Sequence, residues 1–204
     1  MSNVYLHYVI DMWFAKVVTV KCKGKAEMIR YADDTVFCFE LEEDARRFYE
    51  AFKKRLDKFN LKLSEEKSKI IKFGRKAGED AEKFDFLGFT HITAKNRKGT
   101  FYVKRVTSKK KLKAKRQNIK KWLRENMHTP IKELMLKLNA KLHGHYNYYG
   151  IIGNYEAMSS FRDYVWGRLK ATLNRRGAKN ISEEVFGRLL KEYPMALPRI
   201  VHQV

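Results

Sequence analysis

The spacing of apolar residues predicts two amphipathic helices in the first third of the chain. In residues 3–18, apolar side chains recur every three or four positions, at Leu6, Val9, Ile10, Trp13 and Val17. In residues 42–60 the same spacing is clearer, at Ala45, Phe48, Phe52, Leu56 and Phe59. Because residues with this spacing lie along one side of a helix, each segment predicts a helix with one buried face.

Shorter apolar runs predict strands. Residues 26–31 and 35–39 predict the two strands of a hairpin, whose tip is Tyr31-Ala32-Asp33-Asp34. Further extended pieces are predicted at residues 61–63, 70–73, 84–93 and 101–103. Within residues 84–93, Gly88 predicts a β-bulge or the close approach of another group. A basic turn is predicted at residues 95–100.

After residue 106 the pattern changes to three helices with short connections. Thr107 or Ser108 can cap the first, Thr129-Pro130 is a start signal for the second, and Asn154 can cap the third. The apolar faces include Leu112, Ile119, Trp122, Ile131, Leu134, Leu138, Leu142, Met158, Phe161, Val165 and Leu169. Three amphipathic helices in succession predict a small bundle.

These elements predict an α+β fold in three parts. Residues 1–104 contain a helix, the hairpin, a second helix and further strands, and residues 105–178 contain the three-helix bundle. Residues 179–204 contain one short helix and a linker-like tail with two prolines. A chain of 204 residues with 44% hydrophobic residues is long enough to bury one sizeable core or two smaller ones.

Charge changes this picture most. The chain has 44 Lys and Arg against 23 Asp and Glu, a net charge of +21. Residues 1–94 hold 18 basic and 16 acidic residues, whereas residues 95–204 hold 26 and 7. The second part is therefore strongly basic, which predicts a polyanionic partner such as RNA.

Cysteine content and hydropathy bear on the surroundings of the protein. Only Cys22 and Cys38 occur, without metal-ligand spacing, and this predicts a reducing compartment, the cytoplasm. The sequence contains no apolar run near the about 18–20 residues that span a bilayer. We therefore expect no membrane partner.

The hairpin tip is the first candidate for chemistry. Asp33 and Asp34 are adjacent carboxylates in a tight turn, where they repel each other and serve no evident packing purpose. Mg²⁺ is a hard cation that prefers oxygen ligands, so the pair is suited to bind it. The alternative is a polar turn whose Asp side chains accept hydrogen bonds from their own backbone.

The second candidate is a basic stretch without acidic residues. Ten cations lie in it: Lys104, Arg105, Lys109, Lys110, Lys111, Lys113, Lys115, Arg116, Lys120 and Lys121. On a helix these charges repel one another, and contact with phosphates relieves the repulsion and releases counterions. A solvated charge run or a localisation signal is the alternative.

A cluster of histidines and tyrosines follows in the second helix of the bundle. His143 and His145 lie two residues apart, so on a helix they point to different sides and predict no metal site. Packing at a helix end is the expected role of this cluster. Some of its tyrosines, Tyr146, Tyr148 and Tyr149, are also candidates for stacking on RNA bases.

Six segments resemble, in the right order, parts of the reverse transcriptases (maturases) encoded by group II introns. They resemble the palm helix after the PQG motif (residues 3–11), catalytic motif C (30–34), motif D (61–70), the primer-grip strand (84–89), the maturase-specific thumb called domain X (142–150) and the linker to the DNA-binding region (194–202). The resemblance implies that residues 1–104 are part of a right-hand palm and residues 105–178 the thumb.

For the catalytic centre, the resemblance implies Mg²⁺-dependent addition of dNTPs to a primer on an RNA template. Asp33 would be the principal metal ligand and Asp34 would assist. Lys67 lies where a motif D lysine approaches the leaving pyrophosphate, although a solvated lysine in a turn remains the alternative.

For the nucleic acid, the resemblance implies further contacts. Tyr31 would lie beside the primer end, or be a half-buried strand tyrosine. Phe86, Leu87 and Gly88 would lie near primer and template. The basic helix would follow the template–primer duplex or the intron RNA, mainly through backbone contacts, since A-form grooves offer little sequence readout.

The match departs from the family pattern at the N-terminus. The family's fingers, its PQG motif and its motif A Asp would precede residue 1, and this N-terminal half of the polymerase is an expected partner. We therefore expect Mg²⁺ to bind weakly or not at all here, and this chain alone to synthesise no DNA. Two other functions remain open: a non-catalytic RNA-binding module that assists splicing, and a truncated inactive remnant.

Overall fold

The computed structural model of the chain describes residues 2–176 and 180–203. Contacts divide these residues between two compact units, one ending at Glu82 and the other beginning at Lys83. In the described residues, helices combine with a two-stranded and a three-stranded antiparallel sheet, which confirms the α+β class. The predicted border between bundle and tail, at residues 178 and 179, lies outside the described residues.

The first unit begins with a helical segment over residues 2–21. Its ends are α-helical, α1 (Ser2–Leu6) and α2 (Thr19–Lys21), but His7–Asp11 and Phe14–Val18 are π-helical. A π-turn holds one more residue than an α-turn, so the buried stripe moves along the sequence. Phe14 and Val18 are therefore buried, whereas Val17, predicted on the buried face, is 36% exposed.

A hairpin and a long helix complete the core of this unit. Strands β1 (Ala26–Tyr31) and β2 (Asp34–Phe39) pair in antiparallel fashion, and α3 (Glu42–Lys58) follows. Phe37 of β2 packs on Phe48 and Phe52 of α3, with ring centroids 4.5 and 5.2 Å apart. Burial of each such ring contributes about 1.5–3 kcal/mol to stability, so this aromatic cluster fixes the hairpin to the helix.

Residues 61–73 differ from the sequence prediction. In this described segment the extended pieces predicted at residues 61–63 and 70–73 form no strand. Its backbone makes local turns instead, with Lys67 N donating to Ser64 O at 3.1 Å. Leu61 and Leu63 pack against the core of the unit, so their apolar character reflects burial and not strand pairing.

The second unit begins with a three-stranded sheet in the order β3 (Phe84–Phe86), β4 (Phe89–Lys95) and β5 (Phe101–Thr107). The single extended piece predicted at residues 84–93 is in fact a hairpin. Leu87 and Gly88 both have positive φ, 49° and 81°, and form its two-residue turn, so the predicted bulge at Gly88 is wrong. Strand β5 is longer than predicted, and the proposed boundary at residue 104 lies inside it.

Four helices follow: α4 (Lys109–Glu125), α5 (Ile131–Tyr149), α6 (Tyr155–Asn174) and α7 (Glu183–Glu192). The Ser108 hydroxyl accepts a hydrogen bond from Lys111 N and caps α4, as predicted. The start of α5 differs, because Pro130 and not Thr129 is its cap residue and no side chain caps it. Helix α7 adds a fourth member to the predicted bundle, since its Phe186 is buried in the same core.

Asn154 precedes α6 but does not cap it with its side chain. The side chain is fully buried, and its oxygen accepts hydrogen bonds from the backbone N and the hydroxyl of Thr107, at 2.8 and 3.2 Å. Its amide nitrogen donates to the Thr107 hydroxyl and to Tyr149 O, both at 2.8 Å. Asn154 therefore joins the end of β5 to the adjoining ends of α5 and α6.

Residues 194–202, predicted as a linker-like tail, lie along α5. The Asn139 amide donates to Pro194 O and accepts from Ala196 N, both at 2.9 Å. Gly150 O accepts from the backbone nitrogens of residues 201 and 202. A side chain at Gly150 would meet the backbone oxygens of residues 146 and 199, so glycine allows the tail to approach. Among the described helices, none is long and apolar enough to cross a membrane.

Candidate functional site

The acidic hairpin tip is solvent-exposed. Tyr31 and Asp34 are the last paired residues of β1 and β2, and Ala32 and Asp33 form the turn between them. Ala32 has a φ of 54°, a left-handed conformation that L-residues other than glycine adopt at a cost. Asp33 and Asp34 are both exposed, and neither carboxylate has a hydrogen-bond or ion-pair partner among the described residues.

These two carboxylates fit part of a Mg²⁺ site. Their unpartnered, exposed oxygens are the donor type that Mg²⁺ prefers. In the part of the chain that the structure describes, no group of three or more His, Cys, Asp or Glu side chains could hold a metal ion. Asp33 and Asp34 would therefore need ligands from water, substrate or another polypeptide, and they alone do not define a catalytic geometry.

Two other polar residues of this unit, Asp11 and Lys67, make no direct hydrogen bond or ion pair with these carboxylates among the described residues. Asp11 is bound by Arg30, whose Nε and Nη2 donate to its two carboxylate oxygens at 2.6 Å each. These bonds to Arg30 hold the pKa of Asp11 below its usual value. Lys67 is exposed in the turn after residue 64, and among the described residues no ion pair joins it to Asp33 or Asp34. Its catalytic role stays a prediction.

The basic stretch divides into an exposed and a half-buried group. Along α4, seven lysines are exposed: Lys109, Lys110, Lys111, Lys113, Lys115, Lys120 and Lys121. The opposite side of the helix buries Ile119 and Leu123. Because the apolar stripe holds the helix against the bundle, the seven lysines lie around its solvent-exposed side, and we call this surface the α4 face.

Three of the ten predicted RNA-binding residues are not on the α4 face. Lys104 and Arg105 are half-buried in β5, and as neighbours in a strand they project to opposite sides of the sheet. Arg116 is half-buried, and its Nη2 donates to the hydroxyl of Ser160 at 2.7 Å. Its guanidinium also lies over the Tyr164 ring at 5.3 Å, so Arg116 links α4 to α6.

The β4–β5 hairpin supplies basic residues that were not among the predicted RNA-binding set. Lys95, Arg97 and Lys98 are exposed at its tip. Asn96 orders the turn, because its side-chain oxygen accepts from Lys98 N and Thr100 N at 3.0 and 2.8 Å. An Asn three residues before a Gly, within a basic run, was the sequence signal for such an ordered cationic turn.

The Leu87–Gly88 turn is held by the helices of its own unit. The Tyr148 hydroxyl donates to Leu87 O at 2.8 Å, and Ser108 N donates to Gly88 O at 2.9 Å. A Cβ on Gly88 would lie 3.0 Å from the Tyr149 hydroxyl, which confirms the close approach predicted there. Tyr149 is buried in this contact, so it offers no free face for stacking, whereas half of Tyr148 is exposed.

Substituting Tyr148→Phe should loosen this turn while keeping the ring that stacks on Phe89. The lost hydrogen bond should cost about 1 kcal/mol and speed amide exchange at residues 87–89. Amide hydrogen exchange with urea unfolding measures both effects. Tyr155→Phe is a matched control, since Tyr155 is as exposed as Tyr148; an equal effect in both variants would contradict the assignment.

The two histidines of α5 have different surroundings. His143 is exposed, whereas His145 is buried, 4.2 Å from the Phe161 ring. Neither ring nitrogen of His145 has a hydrogen-bond partner among the described residues. Burial, with a smaller contribution from the charge of Lys115, lowers the pKa of His145 to about 4. The arrangement is an apolar contact of a neutral ring, as expected for a packed helix end.

Two family models match the chain, and together they span most of it. The model described as reverse transcriptase (RNA-dependent DNA polymerase) matches residues 1–91. The model described as group II intron, maturase-specific domain matches residues 112–189, which extends into α7. No curated protein matches the chain. The first match contains the acidic hairpin tip, and the second contains most of the α4 face.

Proposed function

The chain belongs to the reverse transcriptases (maturases) encoded by group II introns, and we propose that it binds intron RNA or a template–primer duplex through the α4 face. Contacts would go mainly to the phosphate backbone, since the face consists of lysines and the grooves of an A-form duplex offer little sequence readout. The Lys95–Lys98 turn would extend this contact.

One observation carries the proposal: seven lysines project from a helix that is anchored by its opposite side. In the printed sequence no Asp or Glu occurs from residue 86 to residue 124, so within this segment the charge is balanced by no acid. Packing holds the lysines close together, and a phosphate backbone is the partner that relieves their repulsion. Two exposed tyrosines, Tyr102 and Tyr148, could add stacking on unpaired bases.

For catalysis, we propose that Asp33 and Asp34 supply part of the metal site of the complete polymerase. Bound Mg²⁺ would neutralise the triphosphate and activate the primer hydroxyl, which is the chemistry that two-metal polymerase sites use. The contribution of this chain is then to hold two adjacent carboxylates at the end of a hairpin that is packed on α3.

A salt titration tests the RNA contact. If about six lysines contact phosphates, the logarithm of the association constant should fall against the logarithm of salt concentration with a slope of about −4 to −5. Fluorescence anisotropy with a labelled group II intron RNA, between low and physiological salt, measures this slope. A flat dependence would contradict phosphate contact, and a variant neutralised at Lys95, Arg97 and Lys98 measures the share of the hairpin turn.

Polymerase activity is a separate test. We expect this 204-residue chain alone to incorporate no dNTP on an RNA template, because two carboxylates without further fixed ligands hold metal ions poorly. A primer-extension assay with Mg²⁺ and with Mn²⁺, beside an active reverse transcriptase, measures this. Templated extension that is lost in Asp33→Asn would contradict the expectation and show that the chain completes its own site.

A further inference from the structure

Arg30 lies at the centre of a hydrogen-bond network beneath the acidic hairpin tip. It is on the inner side of β1 and its side chain is only 13% exposed. Its Nε and Nη2 form a bidentate pair with Asp11 at 2.6 Å each, across 19 residues of sequence. Asp11 also contacts His7 Nδ1 at 3.1 Å. The guanidinium is thus fixed in plane and direction by a carboxylate of the N-terminal helical segment.

The remaining edge of the guanidinium faces the turn. Arg30 Nη1 donates to the backbone oxygen of Ala32 at 2.7 Å. This oxygen belongs to the peptide group that joins Ala32 to Asp33, so the hydrogen bond fixes the orientation of the backbone at Asp33. Ala32 is also the residue in the left-handed conformation. A costly backbone conformation persists where surrounding contacts enforce it, and this bond is such a contact.

We propose that Arg30, oriented by Asp11, is a positioning residue that sets the Ala32–Asp33 turn and thereby aims the two carboxylates at a shared metal ion. This inference rests on the proposed metal role of Asp33 and Asp34. Without the hydrogen bond from Arg30 to Ala32 O, two effects favour other turn conformations: repulsion between the adjacent carboxylates, and the energetic cost of the left-handed backbone conformation at Ala32. The network acts through the backbone, and Arg30 itself touches neither metal nor substrate.

The chemistry of arginine suits this position. The planar guanidinium presents donors along two edges, so it can pair with a carboxylate on one and bind a carbonyl on another. A lysine has one compact ammonium group, which cannot keep the bidentate pair and reach Ala32 O in the same geometry. The bonds from Arg30 also hold the pKa of Asp11 below its usual value, so the pair persists at lower pH than an unpaired carboxylate would allow.

The same unit contains a matched control. Arg47 pairs with Asp44, and Asp44 accepts hydrogen bonds from Lys23 N and Gly24 N at 3.0 and 2.9 Å. This second pair also joins an Arg and an Asp and also holds a turn, but the turn lies away from the hairpin tip. Arg47→Lys therefore repeats the chemical change of Arg30→Lys at another site of the first unit.

The experiment compares the full chain with its Arg30→Lys, Arg30→Met and Arg47→Lys variants. Amide hydrogen exchange reports the order of residues 31–35, urea unfolding reports stability, and Mn²⁺ broadening of NMR signals reports metal binding at Asp33 and Asp34. Loss of a hydrogen bond to a charged group should speed exchange at the tip about tenfold or more in both Arg30 variants. Arg47→Lys should affect residues 22–25 and leave the tip unchanged.

The outcomes separate the inference from the metal assignment. Faster tip exchange in both Arg30 variants but not in Arg47→Lys, with weaker Mn²⁺ broadening, supports positioning. Unchanged tip exchange in both Arg30 variants overturns it, whatever their stability. If the unaltered chain shows no Mn²⁺ broadening at either Asp, the metal role fails in this chain, and the exchange data still decide whether Arg30 sets the turn.

Discussion

Replacing Lys109, Lys110 and Lys111 together with glutamate is expected to weaken binding of a group II intron RNA about a hundredfold to a thousandfold at 0.15 M salt. Each lysine that leaves a phosphate contact removes a released counterion, and each glutamate adds repulsion. The first turn of α4 carries all three side chains, and all three residues are exposed. Titration of labelled RNA by fluorescence anisotropy measures the loss.

A variant with the same change in charge is the control for this result. Lys132, Lys137 and Lys191 are exposed lysines of α5 and α7 that do not belong to the α4 face, and of these Lys137 pairs with Glu133. Their joint replacement by glutamate should weaken binding much less and leave the salt slope nearly unchanged. Equal losses in both triple variants would mean that RNA responds to net charge alone, and the α4 face would lose its special role. Circular dichroism should show both variants folded.

Acidification is expected to destabilise the second unit through His145. Its pKa is lowered to about 4 by burial, whereas an unfolded chain has a histidine pKa of about 6.5. Below pH 6.5 the unfolded state therefore binds a proton that the folded state does not, and stability falls with pH until about pH 4. At pH 7 His145 is neutral in the folded protein. The free energy of unfolding should fall by about 2 kcal/mol by pH 5 and by about 3 kcal/mol in all.

Urea unfolding at pH 7, 6 and 5 measures this loss, and two variants isolate its source. His145→Leu keeps an apolar side chain beside Phe161 and should remove most of the decline between pH 6.5 and 5. His143→Leu changes an exposed histidine only two residues away and should retain the full decline. The same pH dependence in both variants would show that another group causes the acid sensitivity.

Much of the fold follows from the sequence because helical period and burial are directly linked. Leu138 and Val165 were predicted on buried faces, and both are fully buried in the bundle core. The period fails in the N-terminal helical segment, since its π-turns depend on tertiary packing that no local propensity records. There Val18 is buried instead of the predicted Val17. The spacing of apolar residues in the sequence does not reveal a shift of one residue of this kind.

The candidate site shows the same division between local and distant information. Asp33 and Asp34 are adjacent, so their identity and their place at a turn follow from a few residues of sequence. The bond from Arg30 to Asp11 joins residues 19 positions apart, and the bonds from Thr107 to Asn154 join residues 47 apart. Contacts between residues so distant in sequence form only in the folded chain, and the identity of one residue does not predict its partner.

Strand β5 and Asn154 together determine where this chain can be divided. A cut after residue 104, where the composition turns basic, would split β5 between Lys104 and Arg105 and leave Thr107, the partner of Asn154, in a short strand remnant without its neighbour β4. A small three-stranded sheet has little stability alone, so it depends on the helices that this link joins to it. Residues from 83 onward should therefore melt as one cooperative block. The change to a basic composition near residue 104 therefore does not mark the limit of a folding unit, and the division between the two compact units lies about twenty residues earlier, between Glu82 and Lys83.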